Sequence, residues 1–286
     1  MSEKYRIRNL EITKDELLVL EPEILRSLIH ERTHHTLEVF LHPILKGERK
    51  PPARFGDEVR ILLKIWEKRN LSMDAPDIRW AQRYLVITDK IKSGEAPNLG
   101  TELPQSFTEE ETQTVDKLIF RRRSIRRWKE KAIPEWMVKR VIEAGLAAPN
   151  ACNMQCQRFL VINDKEAMSI IKTPEEKLFA KLPPVKIVVC QDMRIYEWMR
   201  FTKTAPQNIY FDAAAAADHM LLMAHALGLG GCWLTHTEKQ AERLRKHYDL
   251  PKYFRMSTHI MIGWPDEAPV KSARIPVEDA IIKAKK

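Results

Sequence analysis

Cysteine and glycine are scarce in this chain, and each scarcity excludes a class of protein. Four cysteines among 286 residues are too few for a disulfide scaffold and fit a reducing compartment. Nine glycines and 17 prolines are too few for a fibrous or low-complexity protein. Hydrophobic residues make up 44% of the chain, which is enough for a core and too much for an intrinsically disordered protein. We expect one large folded domain or two smaller ones.

Long uninterrupted hydrophobic runs are also missing. The most apolar segment, residues 213–234, contains Asp218, His219 and His225, so it is predicted to be a buried helix and not a membrane span. Residues 1–10 hold several charged side chains with no apolar run behind them, so we expect no signal peptide there. These patterns predict a cytoplasmic protein without a membrane partner.

The positive charge is confined to one part of the chain. Residues 1–110 hold 18 Lys and Arg against 19 Asp and Glu, whereas residues 111–286 hold 30 against 20. The whole net charge of +9 therefore comes from the C-terminal two-thirds. Such a confined excess suggests that this part binds a phosphate-bearing ligand or nucleic acid.

The first hundred residues are predicted to be helical. Residues 13–16 form a capping-box pattern, and Pro22 is expected to kink or split the helix that follows. Two more amphipathic helices are predicted, over residues 57–68 and 77–91. Glycine and proline then concentrate in residues 93–107. We place a domain boundary there, with a helical N-terminal domain over residues 1–105.

This N-terminal domain contains no recognisable site motif. The simplest interpretation is a helical cap that packs on the rest of the chain or lengthens a dimer interface. The alternative is a module that gates substrate or binds a partner, with a pocket lined by His34, His35, Trp66 and Trp80.

Residues 106–286 mix helices and strands and are predicted to form a second domain. Helices are predicted over residues 134–146 and 213–227 and from residue 237 onward, and strands over residues 159–162, 186–190 and 258–262. The elements do not follow a regular βαβ alternation. That order favours an α+β domain.

The sharpest local feature is a basic run over residues 121–128. Arginine offers planar, permanently charged donors that match phosphate oxygens, and the Ser124 hydroxyl can add one more hydrogen bond. Alone, the run also fits a solvated basic face, a nucleic-acid site or a target for a basophilic kinase.

Residues 228–231 suggest a phosphate loop, but they follow a helix, so we interpret them as a helix cap. No Walker A, Gly-x-Gly-x-x-Gly or nucleophile-elbow motif is present.

Four motifs, each weak alone, occur in a fixed order. They are Arg-Arg-Ser-Ile-Arg at residues 122–126, Ala-Pro-x-x-x-Asn-x-Gln at 148–155, Leu-Gly-Leu-Gly-x-Cys-Trp at 227–233, and Gly-x-Pro at 263–265 followed by Arg274. In this combination, residues 115–280 resemble the flavin-dependent nitroreductase family. The resemblance implies an α+β fold with a central, mainly antiparallel sheet flanked by helices. It also implies an FMN-binding domain over residues 106–286, to which the N-terminal helices are an addition.

The resemblance assigns the basic run to FMN binding. Arg122, Ser124 and Arg274 match the family's phosphate-binding positions, and Arg123 belongs to the same cofactor-binding stretch. Arg126 matches a position whose cation reaches the ribityl chain or the pyrimidine side of the ring. A cation there would stabilise the negative charge of reduced flavin.

The second motif matches a loop that lies against the isoalloxazine ring and that, in this family, comes from the partner subunit of a homodimer. Its matching residues are Pro149, Asn150, Ala151 and Asn153. The family often has serine where this chain has Asn150. It often has Pro-Trp where this chain has residues 156–157, Cys-Gln. These departures bear on substrate shape more than on the cofactor.

Around Thr235 and His236 the family places a backbone N–H that faces flavin N5. Because the flavin carries the chemistry, no catalytic side chain is expected. No metal site is expected either, since Cys152 and Cys156 lack a second ligand pair with zinc spacing.

The implied activity is a ping-pong transfer of electrons from NAD(P)H, through FMN, to a nitroaromatic, a quinone or a related conjugated acceptor. Reductive dehalogenation or other flavin chemistry on the same fold is the nearest alternative. A nucleic-acid or regulatory binding protein that uses the arginine cluster is the alternative from a different class.

Overall fold

The computed structural model describes residues 2–172, 176 and 182–282. The N-terminal part consists of a two-stranded antiparallel hairpin followed by helices. Its elements are β1 (Lys4–Ile7), β2 (Leu10–Thr13), α1 (Lys14–Val19), α2 (Pro22–Thr33), a π-helix (His34–Glu38), α3 (Val39–Leu45), α4 (Asp57–Lys68) and α5 (Pro76–Lys92).

The hairpin corrects the prediction that the first hundred residues are helical. Its turn contains Arg8 in the left-handed region, at φ 56°, so no glycine marks it in the sequence. The helix signals were right, since Thr13 forms a reciprocal capping box with Glu16. Pro22 separates two helices and occupies the first turn of α2, where its missing N–H costs nothing.

Residues 93–107, the segment proposed as a linker, contain no helix or strand and are mostly exposed. The elements after them are α6 (Glu109–Arg121), α7 (Glu135–Leu146), a short 3₁₀ turn (Ala151–Asn153), β3 (Gln157–Ile162), α8 (Lys165–Ile170), β4 (Val185–Asp192), α9 (Met193–Trp198), α10 (Phe201–Thr204), α11 (Asn208–Ala226), β5 (Gly230–Leu234), α12 (Glu238–His247), β6 (Phe254–Gly263) and α13 (Val277–Ala280).

Four of these strands form the central sheet in the order β3-β4-β6-β5, with every neighbouring pair antiparallel. Side chains alternate across β4, so Ile187 packs with α7 and α11 on one face while Val188 packs with α8 and α12 on the other. Helices therefore cover both faces of an antiparallel sheet. The α+β prediction is confirmed.

Strand β5 was not predicted. Its first two residues are glycines, which weaken a strand pattern, and its pairing partner β6 begins some 20 residues later in the chain. The helix cap before it was predicted correctly, because Gly228 follows α11 with a left-handed φ of 76°. Among the described helices, α11 included, none is long and apolar enough to cross a membrane.

The N-terminal helices share a hydrophobic core with the later part of the chain. One cluster joins Leu25, Ile29 and Leu62 to residues that lie beyond the linker, namely Met154, Cys156, Ile195, Tyr196, Met199 and Ile209. The linker therefore does not separate two independent cores, and the division of the chain into two domains stays a prediction.

The four residues proposed to line a pocket in the N-terminal part have other contacts. Trp66 is buried and donates from Nε1 to the Ser72 carbonyl at 3.0 Å, and His34 pairs with Glu38 at 2.7 Å. Trp80 packs edge-on against Tyr84. A cleft of about 520 Å³ opens beside α2, and none of His34, His35, Trp66 and Trp80 lines it.

Candidate cofactor site

The basic run follows α6 and lies along the edge of the sheet. Ser124 pairs with Gly231 of β5 in a parallel bridge, and the Ile125 N–H donates to the Gly231 carbonyl at 3.0 Å. A Cβ atom on Gly230 would stand 2.6 Å from Ile125 Cγ1. Glycine at that position is what allows the run to approach the strand so closely.

The other end of the run is held by the segment after β6. The Lys129 N–H donates to the Trp264 carbonyl at 2.9 Å. Glu267 accepts from the backbone N–H groups of Arg126, at 2.5 Å, and Arg127, at 3.1 Å. The carboxylate thus fixes the backbone of the run and leaves the arginine side chains free to project elsewhere.

These contacts form a basic cavity of about 760 Å³. Five predicted cofactor-binding residues from two distant segments line it: Arg122, Arg123, Ser124, Arg126 and Arg274. The rest of the lining is Ile119 and Phe120 from α6 and residues 269–273. We call it the basic cavity below.

The guanidinium groups of the basic cavity form no ion pair with a carboxylate within the part of the chain that the structure describes. Arg123 donates to the Pro269 carbonyl at 2.8 Å, Arg126 to the Ser124 carbonyl at 3.4 Å and Arg274 to the Ala273 carbonyl at 3.0 Å. Carbonyl contacts leave the formal charges uncompensated. Several guanidinium groups and a hydroxyl around one cavity form a donor set that fits a phosphate dianion.

The predicted ring-contacting loop lies elsewhere on the chain. Pro149, Asn150, Ala151 and Asn153 belong to a tight turn, and none of them lines the basic cavity of its own chain. The turn packs against α2 and the π-helix. Its backbone amide at Ala151 donates to Asp212 at 2.9 Å.

Thr235 and His236 follow β5, also outside the lining of the basic cavity. His236 Nδ1 lies 3.2 Å from His259 Nδ1, and its Nε2 lies 3.3 Å from the Met256 carbonyl. Burial and the neighbouring His259 lower the pKa of His236 to about 4, so the ring is neutral at pH 7.

Two residues that shape the site were not found from the sequence. Glu267 holds the arginine run, and Asp212 holds the loop. A signal existed for each, because Glu267 lies between Pro265 and Pro269, and Asp212 immediately precedes five alanines. An acidic residue between two prolines, or next to an apolar run, indicates a structural contact, but only the fold identifies its partner.

The fold and the basic cavity together define a class: an α+β protein with a cavity whose arginine and serine donors fit a phosphate group. A model of the nitroreductase family matches residues 119–201 and 183–264. The chain belongs to the nitroreductase family.

Two archaeal proteins illustrate the similarity, both named NADH dehydrogenase/NAD(P)H nitroreductase. The protein from Methanothermobacter thermautotrophicus is 28% identical over 160 residues, which is 54% of this chain and 79% of the relative. The protein from Archaeoglobus fulgidus is 29% identical over 157 residues, which is 53% of this chain and 85% of the relative.

Solved structures of nitroreductases are also similar to this chain. A nitroreductase from Desulfovibrio desulfuricans in complex with FMN is 31% identical, with a TM-score of 0.51, and the match covers 60% of this chain and 97% of that one. A Parabacteroides distasonis NADH dehydrogenase/NAD(P)H nitroreductase, 23% identical with a TM-score of 0.52, shares the fold over 60% of this chain and 99% of its own.

Proposed function

We propose that the protein is an NAD(P)H-dependent FMN oxidoreductase. The observation that carries the proposal is the basic cavity, where Arg122, Ser124 and Arg274 converge without an acidic partner among the described residues. These three would hold the FMN phosphate, a dianion near neutral pH, and Arg123 would add to the positive field. The FMN in the Desulfovibrio relative supports the same cofactor here.

When bound, FMN supplies hydride transfer from NAD(P)H and then to an acceptor, in two half-reactions at one face of the ring. Arg126 would place its cation at the pyrimidine side and stabilise the charge that reduction adds there. A backbone N–H near Thr235 or His236 would face N5. We propose NAD(P)H as the electron donor because the names of the two relatives contain NADH and NAD(P)H.

We further propose a homodimer whose two subunits share each FMN site. Pro149, Asn150, Ala151 and Asn153 do not reach the basic cavity of their own chain, which supports contact with the cofactor of a partner. Apolar side chains also lie exposed on α6, α11, α13 and the segment after β6, as expected of a surface covered on assembly. They are Ile119, Phe120, Tyr210, Phe211, Val270, Ile275 and Val277.

The acceptor is proposed to be a nitroaromatic, a quinone or a related conjugated compound. The location is proposed to be cytoplasmic, because all four cysteines are free thiols.

Anaerobic half-reactions test the activity. The FMN-loaded protein is mixed with NADH or NADPH, and bleaching of the visible flavin absorbance is followed. An acceptor is then added, and recovery of the absorbance is timed. We expect bleaching by at least one nicotinamide and recovery with a nitroaromatic or a quinone. Recovery with a halogenated aromatic alone would favour dehalogenation. Tight binding of an oligonucleotide by protein that takes up no flavin would favour the nucleic-acid alternative.

A further inference from the structure

Asp212 is a buried carboxylate in the most apolar helix of the protein. It lies in α11 just before five alanines, and only 5% of its surface is exposed. Both of its oxygens accept hydrogen bonds: Oδ1 from the Ala151 backbone N–H at 2.9 Å, and Oδ2 from the Tyr196 hydroxyl. A charge removed from water this far is costly unless such bonds compensate it. The carboxylate therefore has a defined use, which is to join the 149–155 loop to α9.

The loop needs such a restraint because its backbone is strained. Cys152, Asn153 and Gln155 have φ of 54°, 52° and 53°, left-handed values that side chains with a Cβ rarely adopt. Such conformations persist where surrounding contacts determine them. Asp212 binds at Ala151, immediately before the strained residues, and Asn150 Oδ1 accepts from the Gln155 N–H at 2.9 Å. The two side chains thus bracket the strained stretch.

Tyr196 connects this restraint to the N-terminal helices. Its side chain is fully buried in the cluster that contains Leu25 and Ile29 of α2. Helix α9 and its end are also tied to the N-terminal part by an ion pair of Arg194 with Glu23 at 3.7 Å, and by Arg8 donating to the Met199 carbonyl at 3.2 Å.

We propose that Asp212 is a positioning residue, held by Tyr196, that fixes the 149–155 loop in the conformation needed to contact FMN. Through Tyr196, the N-terminal helices take part in shaping the cofactor site from which they are remote in sequence. The inference rests on the proposed function for the identity of the ligand, but the hold of Asp212 on the loop does not depend on it.

The test compares variants at Asp212 with a matched control. Asp164 has the same bonding: it accepts from the Ala167 N–H at 2.7 Å and from the Tyr248 hydroxyl, but it caps α8 and does not contact the loop. Asp212→Ala, Asp212→Asn, Tyr196→Phe and Asp164→Ala are made in the full chain. The readouts are the FMN dissociation constant, hydrogen exchange of the 148–156 peptide, and the melting temperature.

We expect Asp212→Ala to weaken FMN binding about tenfold or more and to accelerate exchange of the 148–156 peptide, because the Ala151 N–H loses its acceptor. Asp212→Asn keeps an oxygen for that N–H, so FMN affinity should return to within roughly threefold of the wild type. Asp164→Ala should lower the melting temperature and leave FMN affinity unchanged. Tyr196→Phe should accelerate loop exchange and weaken FMN binding by an amount between the alanine and asparagine variants.

Equal losses of FMN affinity in Asp212→Ala and Asp164→Ala would overturn the proposal, since the effect would then be a general loss of stability. Wild-type exchange and affinity in Asp212→Ala would overturn it as well. If Asp212→Ala does not fold, Tyr196→Phe decides, and unchanged exchange together with unchanged affinity in that variant counts against the proposal. Failure of the wild type to bind FMN would remove the proposed function, while the exchange comparison would still decide whether Asp212 holds the loop.

Discussion

Arg122 and Arg274 line the same basic cavity although they lie far apart in the sequence. We expect Arg122→Ala and Arg274→Ala each to weaken FMN binding by about ten- to a hundredfold, because a charge-assisted hydrogen bond contributes about 1.5–3 kcal/mol. Quenching of flavin fluorescence during titration measures the change. Arg127→Ala is the matched control, since Arg127 belongs to the same basic run without lining the basic cavity. Similar losses in all three variants would show a nonspecific effect of charge.

We expect the stability of the folded protein to fall at acid pH because of His236. Its pKa is lowered to about 4, chiefly by burial and then by His259, while the hydrogen bond to the Met256 carbonyl and the charge of Glu238 oppose the shift. The unfolded chain therefore binds the proton at a higher pH than the folded chain does, so stability is full above about pH 6.5 and falls as the pH approaches 4. The contribution of this residue is at most about 3 kcal/mol.

Urea unfolding at pH 7 and pH 4.5 measures this effect in the wild type and in His236→Asn. The variant should lose less stability between the two pH values, because asparagine does not titrate. Equal losses would assign the acid sensitivity to His259 or to other groups.

At the scale of elements, β5 determines where the basic run lies. Gly230→Ala would bring a Cβ atom to within 2.6 Å of Ile125 Cγ1, so the run would have to shift. We expect a loss of about 1–3 kcal/mol in stability from overpacking, together with weaker FMN binding. Gly228→Ala is the control, because its Cβ meets nothing within 4 Å and only a left-handed backbone, at φ 76°, is strained.

Calorimetric melting of both glycine variants measures the loss of stability, and FMN titration measures the change in cofactor affinity. Gly228→Ala should cost about 1–2 kcal/mol and leave FMN affinity unchanged. If Gly230→Ala bound FMN as tightly as Gly228→Ala, the close approach of the run to β5 would not matter for the site.

Local signals in the sequence predicted most of the helices. The capping box at Thr13 involves residues three positions apart and is present in the structure, and α12 begins directly after Thr237, where a helix was predicted to start. The β1–β2 hairpin and β5 were missed because their patterns are short, and because β5 is stabilised by pairing with a strand that a local window does not contain.

Some parts of the candidate site could be found from the sequence and others could not. The motif containing Arg122 and Ser124 could be found by resemblance, and the structure brings it to the same cavity as Arg274. The roles of Glu267 and Asp212 could not be found, since each carboxylate binds backbone N–H groups far away in the sequence. Such contacts depend on how the elements pack, which no motif encodes.

At the scale of the whole molecule, the shared core predicts the result of truncation. Deleting residues 1–105 would expose Met154, Ile195 and Tyr196, which are buried against the N-terminal helices. We expect the shortened chain to lose thermal stability or soluble yield, because fully burying one large apolar side chain is worth about 1.5–3 kcal/mol. A truncated protein of unchanged stability that binds FMN but prefers another acceptor would contradict this and would favour a gating role.

We propose that two copies of this chain share FMN sites built on the basic cavity. Sedimentation velocity followed at both the protein and the flavin absorbance tests it directly, because the mass of the species that carries flavin and the flavin content per chain come from one experiment. We expect the flavin absorbance to sediment with a homodimer that carries one FMN per chain. Flavin that fails to sediment with the protein, or a monomer with a full complement of FMN, would contradict it.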